Sequence, residues 1–236
     1  MRGLADIDVA ILAGGLGTRI RGVLGDTPKC LGPVAGRPFL DWMLDRLAAE
    51  GARRVLLLLG HRAEAVSQHV RGRPGVECVV EPAPLGTAGA IRHALPRLAH
   101  APVLVMNGDS VVGADLAAFA AAHHRPASLL AVRVPDAGRY GALEVAPDGS
   151  VMAFREKDPG AGPGLINAGV YLLGHDILDL IAETDGPSLE RDILARLPPD
   201  ALGAVVAPGP FVDIGTPESY AAAAPIVLEW AKGSRP

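Results

Sequence analysis

The chain has 236 residues, 49% of them hydrophobic, enough to bury the core of one large domain. A formal net charge of −4, an aromatic content of 4% and the absence of a basic stripe argue against a nucleic-acid surface, although a few local cations could still meet a small anion. The longest apolar run, VLLLLG at 55–60, is strand-sized and far from the roughly 18 residues of a membrane span, so no membrane partner is expected.

The first segment, MRGLADIDVAIL, has too short an apolar stretch for a secretory signal and no small-residue cleavage pattern, so a cytoplasmic protein is expected. Strand-like and helical patterns then alternate: IDVAILA at 7–13, PFLDWMLDRLAAEG at 38–51, RRVLLLLG at 53–60 and AEAVSQHV at 63–70. They continue with VECVVE at 76–81, GTAGAIRHALPRLA at 86–99, APVLVMNGDS at 101–110 and ADLAAFAAAHH at 114–124. Strands apolar on both faces and separated by helices predict an α/β fold with a doubly wound, mostly parallel sheet. After the strand ASLLAVRV at 127–134 the pattern changes, and YGALEVAPDGSVMAFREK at 140–157 predicts an antiparallel hairpin turning at Pro147, Asp148 and Gly149. DPGAGPG at 158–164 is a flexible-looking loop and GLINAGVYLLG at 164–174 a strand. SLERDILARL at 188–197 predicts a helix, and FVDIGTPESYAAAAPIVLEWA at 211–231 a strand end, a turn and a last helix. Two distant cysteines, Cys30 and Cys78, have no CxxC partner and suggest neither a disulfide framework nor a zinc knuckle.

In an open α/β sheet, ligands bind beyond the carboxyl ends of the strands, and four such ends carry unusual chemistry. The first, ILAGGLGTRIRGVLGDTPKCL at 11–31, combines Gly14, Gly15 and Gly17 with Thr18, Arg19, Arg21 and Lys29. A turn needs one or two glycines; a phosphate-binding loop needs close backbone N–H groups and cations. The spacing fits neither the dinucleotide fingerprint nor the P-loop. The second, EPAPLGTAGAI at 81–91, brings Gly86, Thr87 and Gly89 to a helix start, where a simple N-cap is the alternative. The third ends VLVMNGDS at Asp109, and the fourth places Asp213 in FVDIGTPESY, where Thr216 and Pro217 already suffice to start the last helix. Asn167, within an otherwise apolar run, needs hydrogen-bond partners. The histidines show no HExxH pattern and are not candidates for catalysis.

LAGGLGTRI at 12–20, TPK at 27–29 and PVAGRP at 33–38 together resemble the sugar-nucleotidyltransferase family, which joins a nucleoside triphosphate to a sugar 1-phosphate. The resemblance runs from about Ile7 to Tyr220. RYGALEV at 139–145, LINAGVY at 165–171, SLERDIL at 188–194 and FVDIGTPESY look most like its heptose 1-phosphate guanylyltransferase group. Mannose 1-phosphate guanylyltransferases and N-acetylmuramate 1-phosphate uridylyltransferases are alternatives within the family, and a regulatory nucleotide-binding domain is one outside enzymes. The resemblance implies a Rossmann-like fold in one domain over residues 1–236, with a nucleotide-binding part at about 1–125 and a sugar-phosphate-binding part at about 126–236. It implies that Leu12, Ala13, Gly14, Gly15, Gly17, Thr18, Glu81, Pro84, Leu85, Gly86, Thr87 and Gly108 hold the nucleotide, with GTP favoured. Tyr140, Gly141, Glu156, Lys157, Asn167 and Gly169 would hold the sugar phosphate. Arg19, Lys29 and Lys157 would be the catalytic cations, and Asp109 and Asp213 would bind Mg²⁺.

Overall fold

The computed structural model describes residues 4–158, 160 and 162–232. Its strands are β1 (Asp8–Leu12), β2 (Pro33–Val34), β3 (Arg37–Pro38), β4 (Val55–Leu59), β5 (Val76–Val80), β6 (Val103–Asn107) and β7 (Ser110–Val112). They continue with β8 (Ala127–Val134), β9 (Leu143–Val145), β10 (Val151–Phe154), β11 (Gly164–Leu173), β12 (Leu202–Val206) and β13 (Phe211–Asp213). The helices are α1 (Arg21–Leu24), α2 (Phe39–Ala49), α3 (Ala63–His69), α4 (Gly86–Ala94), α5 (Leu116–Ala121), α6 (His175–Glu183) and α7 (Pro217–Lys232).

Seven strands form one sheet in the order β12, β8, β11, β6, β1, β4, β5, in which β11 alone runs antiparallel to its neighbours. This is the doubly wound, mostly parallel arrangement expected from the alternating runs. All five residues of β4 are buried, because successive side chains enter opposite layers. Val55, Leu57 and Leu59 join Val9 and Ile11 in a core covered by Phe39, Leu40 and Met43 of α2 and Val227 and Trp230 of α7. Leu56 and Leu58 join Ala10, Val103 and Val105 in a second core, under Ile91 of α4 and Ile177 and Ile181 of α6. A fully buried side chain such as Leu57 contributes roughly 1.5–3 kcal/mol relative to leaving it in water.

The expected hairpin exists as β9 and β10, but it pairs as a two-stranded sheet of its own, tied to the main sheet through a bridge between Ser150 and Gly203. Where a helix is expected at 188–197, the chain winds as a π-turn over Leu189–Ile193 and a 3₁₀ turn over Leu194–Arg196. The Leu194 N–H reaches the carbonyls of both Leu189 and Glu190, which widens the turn. The apolar spacing there is helical, so periodicity alone does not separate the two forms. The loop expected to be flexible, 158–164, includes residues 159 and 161, which lie outside the described residues. Elements that carry no clear sequence signal include β12, α6 and the short ladder pairing β7 with β13, of which only the strand end at 211–213 is expected from the sequence. That ladder sets Asp213 opposite Ser110, beside the end of β6.

Candidate active site

The carboxyl ends of β1, β4, β5 and β6 open into a cleft of about 460 Å³. Because β11 runs the other way, its first half reaches the same edge as the end of β6, with Val170 opposite Met106. A smaller groove of about 160 Å³ lies there, and Arg19, Lys29, Asn107, Asp109 and Gly215 line both spaces.

The glycine loop is tied to its neighbours by main-chain bonds: Ala13 N–H donates to Leu58 O, His61 N–H to Gly14 O, and Gly108 N–H to Leu12 O. A Cβ on Gly14 would stand 3.0 Å from Gly60 N and 3.1 Å from Glu81 Oε1, and one on Gly108 only 2.8 Å from Leu12 O. These two glycines are therefore demanded by the close approach of strand ends. Gly15 is different, since no protein atom lies within 4 Å of the Cβ it lacks, and it faces the open cleft. Gly17 has φ +60° and starts the 3₁₀ turn Thr18–Ile20 that carries Arg19. Arg19 is exposed and forms no ion pair among the described residues.

Lys29 sits on a 3₁₀ turn, half-buried, with Nζ 2.5 Å from Asp109 Oδ2. Cys30 beside it is inert, because burial, reinforced by the Asp109 carboxylate, pushes its thiol up to about 12. Asp109 Oδ1 accepts no hydrogen bond among the described residues, and the Asp109 carbonyl accepts from Ile214 N–H at 2.8 Å.

Asp213 is held from several sides. Its Oδ1 accepts from Tyr140 Oη at 2.7 Å and Arg139 Nη2 at 3.0 Å, and its Oδ2 from Gly215 N–H at 2.9 Å and Ser219 Oγ at 3.4 Å. The Tyr140 ring meets Phe211 edge to face at 5.6 Å, and Arg139 lies over it at 4.9 Å. Burial, with the Asp213 hydrogen bond and charge, pushes the Tyr140 phenol well above its ordinary value, so it stays protonated and donates. Thr216 and Ser219 exchange the bonds that start α7, as expected of a cap.

Of the residues expected to hold a nucleotide, Leu12, Ala13, Gly14, Gly15, Gly17, Thr18, Glu81, Pro84, Gly86, Thr87 and Gly108 line the cleft, with Arg19, Lys29 and Asp109. Leu85 does not; its N–H donates to Glu81 Oε2 at 3.2 Å and so orients that carboxylate. Tyr140, Lys157, Asn167, Gly169 and Asp213 line the groove. Gly141 and Glu156 line neither space: Gly141, at φ +90°, would carry a Cβ 2.6 Å from Arg155 O, and Glu156 is exposed in the segment that follows β10. Sequence reasoning missed Asn107, His61, Glu190 and Gly215 in the cleft and Arg139 in the groove. Asn107 had a legible signal, a polar residue closing the apolar strand VLVMN, and it explains Gly169. With φ +73°, Gly169 passes so close that a Cβ would lie 2.4 Å from Asn107 Nδ2.

No group of three or more His, Cys, Asp or Glu side chains suited to a metal occurs among the described residues. Two carboxylates are nonetheless what Mg²⁺ takes when phosphates and water supply its other ligands. Asp109, with one oxygen unbonded, fits that role. Asp213 already accepts four hydrogen bonds, so it fits only by giving up the bond from Arg139 or Tyr140.

The nucleotidyl transferase family model matches residues 9–229. The chain is 33% identical over 225 residues to the mannose-1-phosphate guanylyltransferase of Mycobacterium tuberculosis, covering 91% of this chain and 62% of that one. It is 31% identical over 213 residues to the D-glycero-alpha-D-manno-heptose 1-phosphate guanylyltransferase of Campylobacter jejuni, covering 89% and 95%. HddC from Yersinia pseudotuberculosis, solved in complex with GMP-PN, superposes with a TM-score of 0.82 at 34% identity, covering 93% of this chain and 98% of that one. These matches span the whole sheet and both walls of the site: the chain belongs to the nucleotidyl transferase family.

Proposed function

We propose that the protein is a sugar 1-phosphate guanylyltransferase, joining GTP to D-glycero-D-manno-heptose 1-phosphate with release of pyrophosphate. The observation that carries this reading is the shared wall: Lys29 and Asp109, 2.5 Å apart, face both the cleft and the groove, so two substrates would meet at one ion pair. The heptose is favoured because the Campylobacter relative is matched over 95% of its own length. The Mycobacterium relative, of which the chain spans 62%, supports mannose 1-phosphate as the second reading.

In the proposed reaction a non-bridging oxygen of the sugar 1-phosphate attacks the α-phosphorus of GTP in line. The new P–O bond forms as the bond from the α-phosphorus to the α,β-bridging oxygen breaks, and pyrophosphate leaves with that electron pair. A phosphate monoester is largely a dianion at neutral pH, its second ionisation lying at about 6, so no general base is required. The protein must hold two polyanions together and neutralise developing charge. The glycine-loop amides and Arg19 hold the triphosphate, with Glu81, Pro84, Gly86 and Thr87 around the base. Lys29 bridges to the reacting phosphates, and Lys157 anchors the sugar phosphate in the groove with Asn167. Mg²⁺, when bound on Asp109 and Asp213, would neutralise charge on the phosphate oxygens. The assigned division at about residue 125 is crossed at the site itself, since Glu190 and Gly215 line the cleft while Arg19, Lys29 and Asp109 line the groove.

A panel of NTPs crossed with heptose, mannose, glucose and N-acetylmuramate 1-phosphates, read by pyrophosphate release with Mg²⁺, tests this. GTP with the heptose phosphate is expected to give the highest kcat/KM. A preference for UTP would overturn the guanylyl assignment, and a preference for mannose phosphate would select the second reading.

A further inference from the structure

Beneath the wall shared by the cleft and the groove runs a hydrogen-bonded chain in which Glu190 and Tyr171 have no part in the proposed reaction. Glu190 lines the cleft at one end, and Asn167 lines the groove at the other. Between them Tyr171, fully buried, donates its hydroxyl to Glu190 Oε1 at 2.7 Å and accepts from Asn167 Nδ2 at 2.8 Å. Glu190 Oε2 accepts from Thr87 Oγ1 at 3.4 Å and Ser188 Oγ at 3.3 Å, and Asn167 Oδ1 accepts from Gly169 N–H at 3.0 Å.

The chain has a direction. A carboxylate can only accept, so the Tyr171 proton is committed to Glu190 and the phenol oxygen is left to accept from Asn167. Burial and the neighbouring Glu190 carboxylate push the Tyr171 phenol far above its ordinary value, which keeps that proton in place. The Asn167 amide is then locked with nitrogen toward Tyr171 and oxygen toward Gly169. A flipped amide would set its oxygen against the phenol oxygen and its NH₂ against the Gly169 N–H, losing two buried bonds at once.

Two irregularities of the backbone build this chain. Between Asn167 and Tyr171, β11 advances four residues while β8 advances two, from Ala131 to Leu129. The extra residues form a bulge with Gly169 at φ +73°, and the Asn167 amide reaches the Tyr171 hydroxyl across it. The π-turn over Leu189–Ile193 carries Glu190 to the other side of that hydroxyl.

We propose that Glu190 is a positioning residue which, acting through Tyr171, fixes the Asn167 amide, so that a side chain in the nucleotide cleft sets the geometry of the sugar-phosphate groove. This rests on the transferase reading above. Glu190→Gln replaces one of the two acceptor oxygens with a donor, so either Tyr171 or the Thr87 and Ser188 hydroxyls lose their acceptor. Although Glu190 does not line the groove, the variant is expected to raise KM for the sugar 1-phosphate about tenfold while kcat changes less than about threefold. Tyr171→Phe is expected to raise the same KM comparably. The double variant is expected to be no worse than Tyr171→Phe alone, because both changes break one chain.

Steady-state kinetics with GTP and sugar 1-phosphate varied separately, on wild type and the three variants, decide the matter. An unchanged sugar-phosphate KM in Glu190→Gln, or multiplicative effects in the double variant, overturns the positioning role while wild-type turnover leaves the transferase reading intact. Failure of the wild type to turn over any member of the substrate panel overturns that reading and this inference with it. Should Tyr171→Phe fail to fold, Asn167→Ala takes its place in the cycle with the same expectation of non-additivity.

Discussion

The cleft is the glycine-rich space and the groove the one lined mostly by polar and charged residues. Gly14, Gly15, Gly17, Gly86, Gly108 and Gly215 line the first; Arg139, Tyr140, Lys157, Asn167 and Asp213 line the second. A wall of amides holds phosphate through groups that every residue carries, placed by close strand approach. A wall of side chains depends on each partner being kept in one rotamer by the next, as Tyr140, Arg139 and Gly215 keep Asp213. The two regions should therefore respond differently to substitution: abruptly where a Cβ enters the cleft, by smaller steps where one hydrogen bond among several is removed from the groove.

The sharpest break in that comparison lies where the regions meet. Lys29→Ala and Asp109→Ala are each expected to lower kcat by about two orders of magnitude or more, as loss of one preorganised transition-state contact does elsewhere. Because the pair is partly exposed, its contribution to folding is small, about 1 kcal/mol or less, and the melting temperature should hardly move. Wild-type turnover in either variant, measured by pyrophosphate release, would remove that residue from the reacting centre.

Gly60→Ala probes the cleft alone. Gly60 lines neither space, but a Cβ there would stand 2.2 Å from Glu81 Oε1 and 2.9 Å from Gly14 O. The Glu81 carboxylate, anchored by Leu85 N–H, would have to move. KM for GTP is expected to rise about tenfold, with KM for the sugar phosphate unchanged. A parallel rise in both would show that the regions do not separate at this position.

Tyr140→Phe probes the groove. It removes one of the four bonds on Asp213 and leaves Arg139, Gly215 and Ser219 in place. KM for the sugar phosphate should rise about fivefold, less than the 1.5–3 kcal/mol assigned to an isolated bond to a charged group would give, roughly 10- to 150-fold. A loss as large as that of Asp109→Ala would mean that Tyr140 touches the reacting groups directly.

The same contrast governs what the sequence makes legible. Much of the cleft is written in two contiguous stretches, 12–29 and 81–91, although Asn107, Gly108, Asp109, Glu190 and Gly215 join it only in the fold. The doubly wound sheet is legible for a similar reason, since runs such as VLLLL and ASLLAVRV carry their own two-faced burial, and the second coincides with β8. The groove is assembled from segments near 140, 157, 167 and 213 by pairings such as β7 with β13, and strands of three residues have no period to read. Glu190 is hidden by the wide turn that carries it: SLERDIL reads as a helix, and the contacts with Tyr171, Thr87 and Ser188 arise only in the fold. Asp213 was found by motif, but its saturation by four donors is a tertiary fact that no spacing contains.

The smallest expected effect falls on a residue that the charge pattern alone would rank high. Arg21 stands two positions after Arg19 in the same loop, yet only Arg19 lines the cleft and the groove. Arg21 opens α1 with 72% of its side chain exposed and lines a recess of about 190 Å³ that adjoins the cleft. Its partner there, Asp26, is 3.9 Å away and already held by Arg62 at 2.5 Å. An exposed cation at that distance, competing for an occupied carboxylate, contributes little to stability or to the field in the cleft. Arg21→Ala should therefore leave both KM values and kcat within about twofold of wild type, whereas Arg19→Ala should raise KM for GTP at least tenfold. Equal losses from the two variants would mean that the loop acts through its total charge rather than through placed contacts, and the contrast between a built cleft and a built groove would have to be redrawn.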